Sequence, residues 1–198
     1  MTSDALRGRI GPNAITRIAD ALERQVGHAM TADLFGSAGL AAHLEHPPAS
    51  MVDEREACRL HGLMRARLGD AVGAAVAHEA GVATADYLLA HRIPRPVQFL
   101  LKRLPAALAC RSLVRAISRH AWTFAGTGQF EARAARPVLL TIRHNALCQG
   151  QHSSRPVCDY YAATFEQLFR VLVHPDARVT ELTCEARGED ACRFELRW

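Results

Sequence analysis

The C-terminal run VTELTCEARGEDACRFELRW constrains the fold more than any other part of the chain, because it reads as a β-hairpin that carries two cysteines. Val179, Leu182, Phe194, Leu196 and Trp198 favour strands, and Gly188 supplies a turn. With Gly188 at the centre, Cys184 and Cys192 are equidistant from it and oppose each other across the ladder, their Cβ atoms about 4.5–5.5 Å apart. Two sulfurs brought that close can form a disulfide, pack as small buried hydrophobes, or share a metal ion at a Zn–S distance of about 2.3 Å.

Compartment bears on that choice. No apolar segment of signal type follows MTSDALRGRI, and no apolar stretch reaches the roughly 18–20 residues that span a bilayer, so a cytoplasmic protein is expected. There Cys58, Cys110, Cys148, Cys158, Cys184 and Cys192 stay reduced, which weighs against the disulfide. A length of 198 residues, 49% of them hydrophobic, suits one buried domain with an appendage. The basic residues are 23 Arg and the single Lys102, spread along the chain, so a net charge of +4 does not by itself point to nucleic acid, and no nucleic-acid partner is expected.

The hydrophobic pattern predicts an α+β fold in a single domain over 1–198. Its first part, 1–120, is mainly helical. GPNAITRIADALERQVG forms an amphipathic helix from Pro12 and Asn13, a short helix covers 32–44, and others run over 52–68 and 70–91. VQFLLKRLPAALACRSLVRAISRH continues as helix with a kink before Pro105, and places Arg111, Arg115 and Arg119 in one basic stripe beside Leu108. That stripe is either a solvated face or a surface for a membrane or acidic groups. From 121 onward the order strand, strand, helix, strand, strand is expected: an antiparallel sheet, with strands at 121–133 and 138–146, carrying a packed helix that starts at Cys158.

In a reduced compartment the hairpin thiolates need further ligands. Cys158 opens the last helix, whose N-terminus favours a thiolate, and Glu181 lies three residues before Cys184. Three sulfurs and one oxygen complete a tetrahedron. Positions 181 and 184 of a regular strand point to opposite faces, so a bulge near Thr183 is required.

Cys158 in PVCDYYAATFEQLF, with Glu181, Cys184 and Cys192 in ELTCEARGEDACRFEL, resembles the four-vinyl-reductase domain family, which also supplies sensory parts of aromatic-responsive transcription activators. The resemblance implies a structural zinc held by those four residues, a mixed α/β ligand-binding fold that is zinc-stapled, and a homodimer. Ala163 departs from the pattern, where many relatives place Gly. IGPNAITRIADAL, AGVATADYLLAHRIP, LLKRLP and AWTFAGTGQF extend the similarity over nearly the whole chain to the BchJ family of bacteriochlorophyll biosynthesis. That similarity implies a magnesium tetrapyrrole intermediate, of the magnesium protoporphyrin or divinyl protochlorophyllide type, as ligand, and the enzymes of that pathway as partners.

Three roles fit the resemblance: a carrier that binds and delivers the pigment, an 8-vinyl reductase that borrows reducing equivalents, and a small-molecule sensor. A reductase needs a hydride or electron source, and AGTGQF, the one glycine-rich candidate, leads into a strand rather than a helix. No DNA-binding or output module is legible for a self-contained sensor. The carrier needs only an apolar slot with a few polar groups. Trp122, Phe124, Phe130, Tyr87 and Phe99 are the candidate slot residues, Arg119 a partner for the pigment's carboxylates, and His120 and His144 candidate axial ligands to magnesium. Contact with a membrane surface through the basic helix is compatible with such a ligand.

Overall fold

The computed structural model describes residues 8–198 and shows helices combined with an antiparallel sheet, as expected of an α+β chain. A first short strand, β1 (Arg9–Ile10), leads to α1 (Asn13–Ser37), in which Ile15, Ile18 and Leu22 recur on one fully buried face. Gly27 leaves helical geometry with φ 79°, and α1 bends there. The expected helix over 32–44 is therefore divided. Its beginning is the end of α1, and its remainder is the single turn α2 (Ala42–Glu45).

β2 (Val52–Asp53) pairs antiparallel with β1, a two-stranded ribbon too short to carry a readable alternation. The Asp53 carboxylate then accepts the Arg55 N–H at 2.9 Å and caps α3 (Glu54–His91). Gly69, with φ 75°, bends α3 at the point where the sequence predicts one helix to end and another to begin. α4 (Arg95–Arg103) and α5 (Ala106–Arg119) are parted at Leu104 and Pro105, the predicted kink.

The sheet contains β3 (Gln129–Arg133), β4 (Val138–Arg143), β5 (Arg178–Thr183) and β6 (Cys192–Arg197), in the spatial order β3-β4-β6-β5, with α6 (Asp159–Leu172) between β4 and β5 in the chain. β3 and β4 are shorter than the predicted 121–133 and 138–146. Residues Ala121–Thr123 coil into a 3-10 turn, and His144 takes a left-handed φ of 53°, which ends the pleat.

Between β5 and β6 the register shifts. Glu181 lies opposite Phe194, but Thr183 lies opposite Arg193, so one residue is bulged between them. The bulge stands where side-chain parity demanded it. Its consequence is that the pairing becomes symmetric about Gly188, which has φ 89°, and the next opposed positions are Cys184 and Cys192. Cys184 already lies past the paired strand, at the start of a 3-10 turn over Glu185–Arg187, while Cys192 is held in the sheet opposite Ile142 of β4.

Two small residues set how closely α3 and α6 approach. A Cβ on Gly81 would collide with the Tyr160 carbonyl oxygen and stand 2.8 Å from the Ala163 Cβ. Around this contact Thr164 Oγ1 donates to the Gly81 carbonyl at 3.0 Å, and Thr84 Oγ1 and the Tyr160 hydroxyl share a hydrogen bond of 3.0 Å. Ala163 is thus accommodated by a glycine on the facing helix. Nearby, fully buried His61 stands edge-on to Tyr160 and bonds through Nε2 to the Ala14 carbonyl at 3.1 Å; burial lowers its pKa to about 3, which keeps the ring neutral. Gly81→Ala must push backbone against backbone and is expected to cost about 1–3 kcal/mol, read as a lowered urea midpoint with an unchanged slope.

Candidate functional site

Four segments converge on one buried point. Asn145 opens a 3-10 turn, Ala146–Cys148, by accepting the Leu147 N–H on its own Oδ1 at 3.0 Å, and this turn carries Cys148 inward. Cys158 is the residue before α6, Cys184 opens the turn after β5, and Cys192 begins β6. The four thiols are between 0% and 4% exposed, and their ligand atoms all lie within 4.8 Å of one another. Cys148 Sγ is 3.4 Å from Cys158, 3.8 Å from Cys184 and 3.7 Å from Cys192; Cys158 Sγ is 3.9 Å from Cys184 and 3.6 Å from Cys192. A tetrahedron of sulfurs at about 2.3 Å from zinc has edges of about 3.8 Å. The spacing is that of a metal centre. It is too long for bonded sulfurs, which stand at about 2.05 Å.

The surroundings suit thiolates. Asn145 Nδ2 donates to Cys158 Sγ and Cys192 Sγ, each at 3.3 Å, and the Glu185 N–H points at Cys192 Sγ at 3.4 Å. Asn145 is fully buried, and its backbone N–H and that of His144 donate to the Glu185 carboxylate at 2.7 and 2.6 Å. Left to themselves the sulfurs share protons unequally. Hydrogen bonds from Cys148, then Cys158 and Cys192, hold the Cys184 thiol low, while bonding to Cys148, Cys184 and Cys192 together with burial pushes Cys158 well up. That outcome runs against the helix-terminus effect expected for Cys158. Four thiolates at this spacing repel one another unless a divalent cation stands between them.

Of the four ligands read from the sequence, Cys158, Cys184 and Cys192 are brought together, and Cys148 stands as the fourth sulfur. Glu181 lies beside the cluster. Its Oε2 accepts the Cys158 N–H at 2.8 Å, and its Oε1 is buried without a hydrogen-bond partner. Burial first, and then the nearby Cys184 sulfur, push this carboxyl up to about 9. Cys148, read from the sequence as a plain buried thiol, had no spacing signal: it lies ten residues before Cys158, on a turn whose only mark is Asn145.

The residues chosen for an apolar slot are not gathered into one. Phe124 and Phe130 belong to the core, packed edge-on to each other at 5.3 Å and both 6.0 Å from Phe165, which stands against Phe194. The Tyr161 hydroxyl donates to the Phe124 carbonyl at 2.9 Å, so this aromatic stack seals the sheet against α6. Tyr87 lies on α3 near His91, with the Arg17 guanidinium over its ring. Phe99, Arg119, His120 and Trp122 are exposed on α4, α5 and the turn that follows, and His144 is exposed at the end of β4. AGTGQF runs into β3, and its glycines serve packing: a Cβ on Gly126 would collide with Glu54 Oε2, and one on Gly128 would stand 2.7 Å from the Arg143 carbonyl oxygen. Two surface hollows remain, of about 440 Å³ beside β1 and β2 and about 200 Å³ between α5 and the β3–β4 turn; none of the slot residues lines either.

Comparison with known proteins agrees with this architecture. Residues 138–198, from β4 through the whole cysteine cluster, match the four-vinyl-reductase (V-4-R) domain. The chain is 40% identical over 192 residues to the bacteriochlorophyll synthase 23 kDa chain of Cereibacter sphaeroides, covering 97% of this chain and 92% of that one. It is 36% identical over 188 residues to the protein of the same name from Rhodobacter capsulatus, covering 95% and 86%. Among solved structures, an Fe(II) unliganded H-NOX protein variant from K. algicida superposes with a TM-score of 0.60 at 11% identity, covering 95% of this chain and 96% of that one. A structure described as probing heme distortion in the H-NOX family superposes with a TM-score of 0.59 at 13% identity over 96% and 95%. At these identities the likeness is one of fold.

The geometry separates the two candidates for the fourth ligand. Cys148→Ser is expected to lose metal on dialysis against a competing chelator, whereas Glu181→Gln keeps a stoichiometric ion; metal analysis with the opposite result assigns the position to Glu181.

Proposed function

Because the chain belongs to the family of the bacteriochlorophyll synthase 23 kDa chains, we propose that it works in bacteriochlorophyll biosynthesis by binding a magnesium tetrapyrrole intermediate and passing it between enzymes of that pathway. The observation that carries this reading is the match to two such chains along nearly the whole length, helical part and metal-centre part alike. The H-NOX likeness supports it in a general way. A fold of this kind accommodates a planar macrocycle in proteins whose descriptions name heme.

In this reading the cysteine cluster holds a structural zinc through Cys148, Cys158, Cys184 and Cys192, with Glu181 fixing the Cys158 backbone beside it. Four protein ligands leave zinc no open position, so the ion would contribute stability rather than catalysis. The chain's own residues would do the rest. Trp122 is 49% exposed beside His120 and Arg119, at the end of α5, and offers an apolar face, a ring nitrogen and a cation to one edge of the pigment. His144, at the surface beside the metal centre, is the other candidate for the magnesium. Working as a homodimer in the cytoplasm belongs to the same proposal.

A carrier fits these residues better than a reductase. Gly126 and Gly128, the candidate phosphate-binding glycines, are already filled by Glu54 and the end of β4. Titration of purified protein with magnesium protoporphyrin and divinyl protochlorophyllide should give a saturable Soret shift, with the vinyl group intact after NADPH is added. Trp122→Ala should weaken the shift by about tenfold, the loss of roughly 1.4 kcal/mol of contact. Vinyl reduction that requires the protein would replace the carrier by the reductase, and absence of any shift would remove both.

A further inference from the structure

Between Asp86 and Glu131 the chain has no acidic residue. This interval contains α4 and α5, which carry Arg95, Lys102, Arg103, Arg111, Arg115 and Arg119, all exposed. None of the six pairs with a carboxylate among the described residues. Elsewhere the Arg side chains are engaged by acids, as in Arg55 with Asp53, Arg193 with Asp190 and Arg197 with Glu195. The positive charge of the protein is therefore concentrated and uncompensated on one helical pair.

The same pair exposes apolar side chains. Val97, Phe99, Leu100 and Leu108 are 45%, 60%, 59% and 47% exposed, and α4 buries only Leu101 of its nine residues. The Arg103 guanidinium lies 4.3 Å from the Phe99 ring centre, a cation held next to an apolar group that faces water. Long Arg and Lys stems around exposed Phe and Leu are the composition of helices that lie in a lipid headgroup layer, apolar groups below and cations at phosphate level.

We propose that α4 and α5 form a docking face for an anionic lipid bilayer. Charge decides against the other occupants. A second copy of the chain would bring six unpaired cations against six more, a nucleic acid would leave Val97, Leu100 and Leu108 with no apolar partner, and a single small anion needs far fewer than six cations. No helix among the described residues is long and apolar enough to cross a membrane, so the contact is with the surface. The inference stands apart from the pigment-binding role, because it concerns the protein without ligand.

Co-sedimentation of the purified full chain with phosphatidylcholine vesicles, alone or mixed with equal phosphatidylglycerol, tests it. Binding should be at least about tenfold tighter to the anionic vesicles and should weaken as salt is raised. Arg111→Glu with Arg115→Glu should lower that binding by about tenfold or more. Phe99→Ser with Leu100→Ser should lower it while leaving its salt dependence in place. All four positions are exposed, so circular dichroism and melting should match the parent protein. Equal or absent binding to both vesicles, or undiminished binding by both double variants, would overturn the proposal.

Discussion

Four thiols meeting in the protein interior is the constraint on which the C-terminal half depends. Burying one thiol costs little, but burying four within 4.8 Å of one another fixes the segments that carry them. Those segments are the turn after β4, the start of α6, the end of β5 and the start of β6. Once the sulfurs are gathered, α6 is tied by its N-terminus to both sides of the β5–β6 connection. The β5 bulge makes this possible, since without its register shift Cys184 would not oppose Cys192. Asn145 completes the arrangement by donating to two sulfurs while its own backbone is held by Glu185.

From this anchor the rest of the molecule follows by packing. α6 lays Phe165 and Phe169 on the sheet and presents Tyr160 and Thr164 to α3, where Gly81 allows close approach. α3 then supports α1, through the buried His61 among other contacts. α4 and α5 are the least covered helices, and they leave the anchored body with an exposed surface of basic and apolar side chains. A rigid metal-linked body and an exposed helical pair are different materials, and they suit different tasks: holding the fold, and meeting a partner.

Much of this was legible in the sequence because it rests on local rules. Cys158, Cys184 and Cys192 stand at helix and strand ends that their neighbours announce, Pro105 parts α4 from α5, and side-chain parity alone required the bulge by Thr183. What was not legible depends on tertiary contact. Cys148 enters the cluster through a turn without a periodic pattern, and Gly27 bends a helix whose apolar spacing continues through it. Phe124 and Phe130 alternate as slot residues would. Only the ring-to-ring packing with Phe165 assigns them to the core.

The central claim is that the buried sulfurs hold one tetrahedral zinc ion. X-ray absorption at the zinc edge of the purified protein tests it most directly, because it counts the ligands by element. Four sulfur scatterers at about 2.3 Å, with no light-atom shell, is the result this account predicts. A spectrum with an oxygen neighbour and three sulfurs would restore Glu181 to the centre, and protein that takes up no zinc would contradict the account.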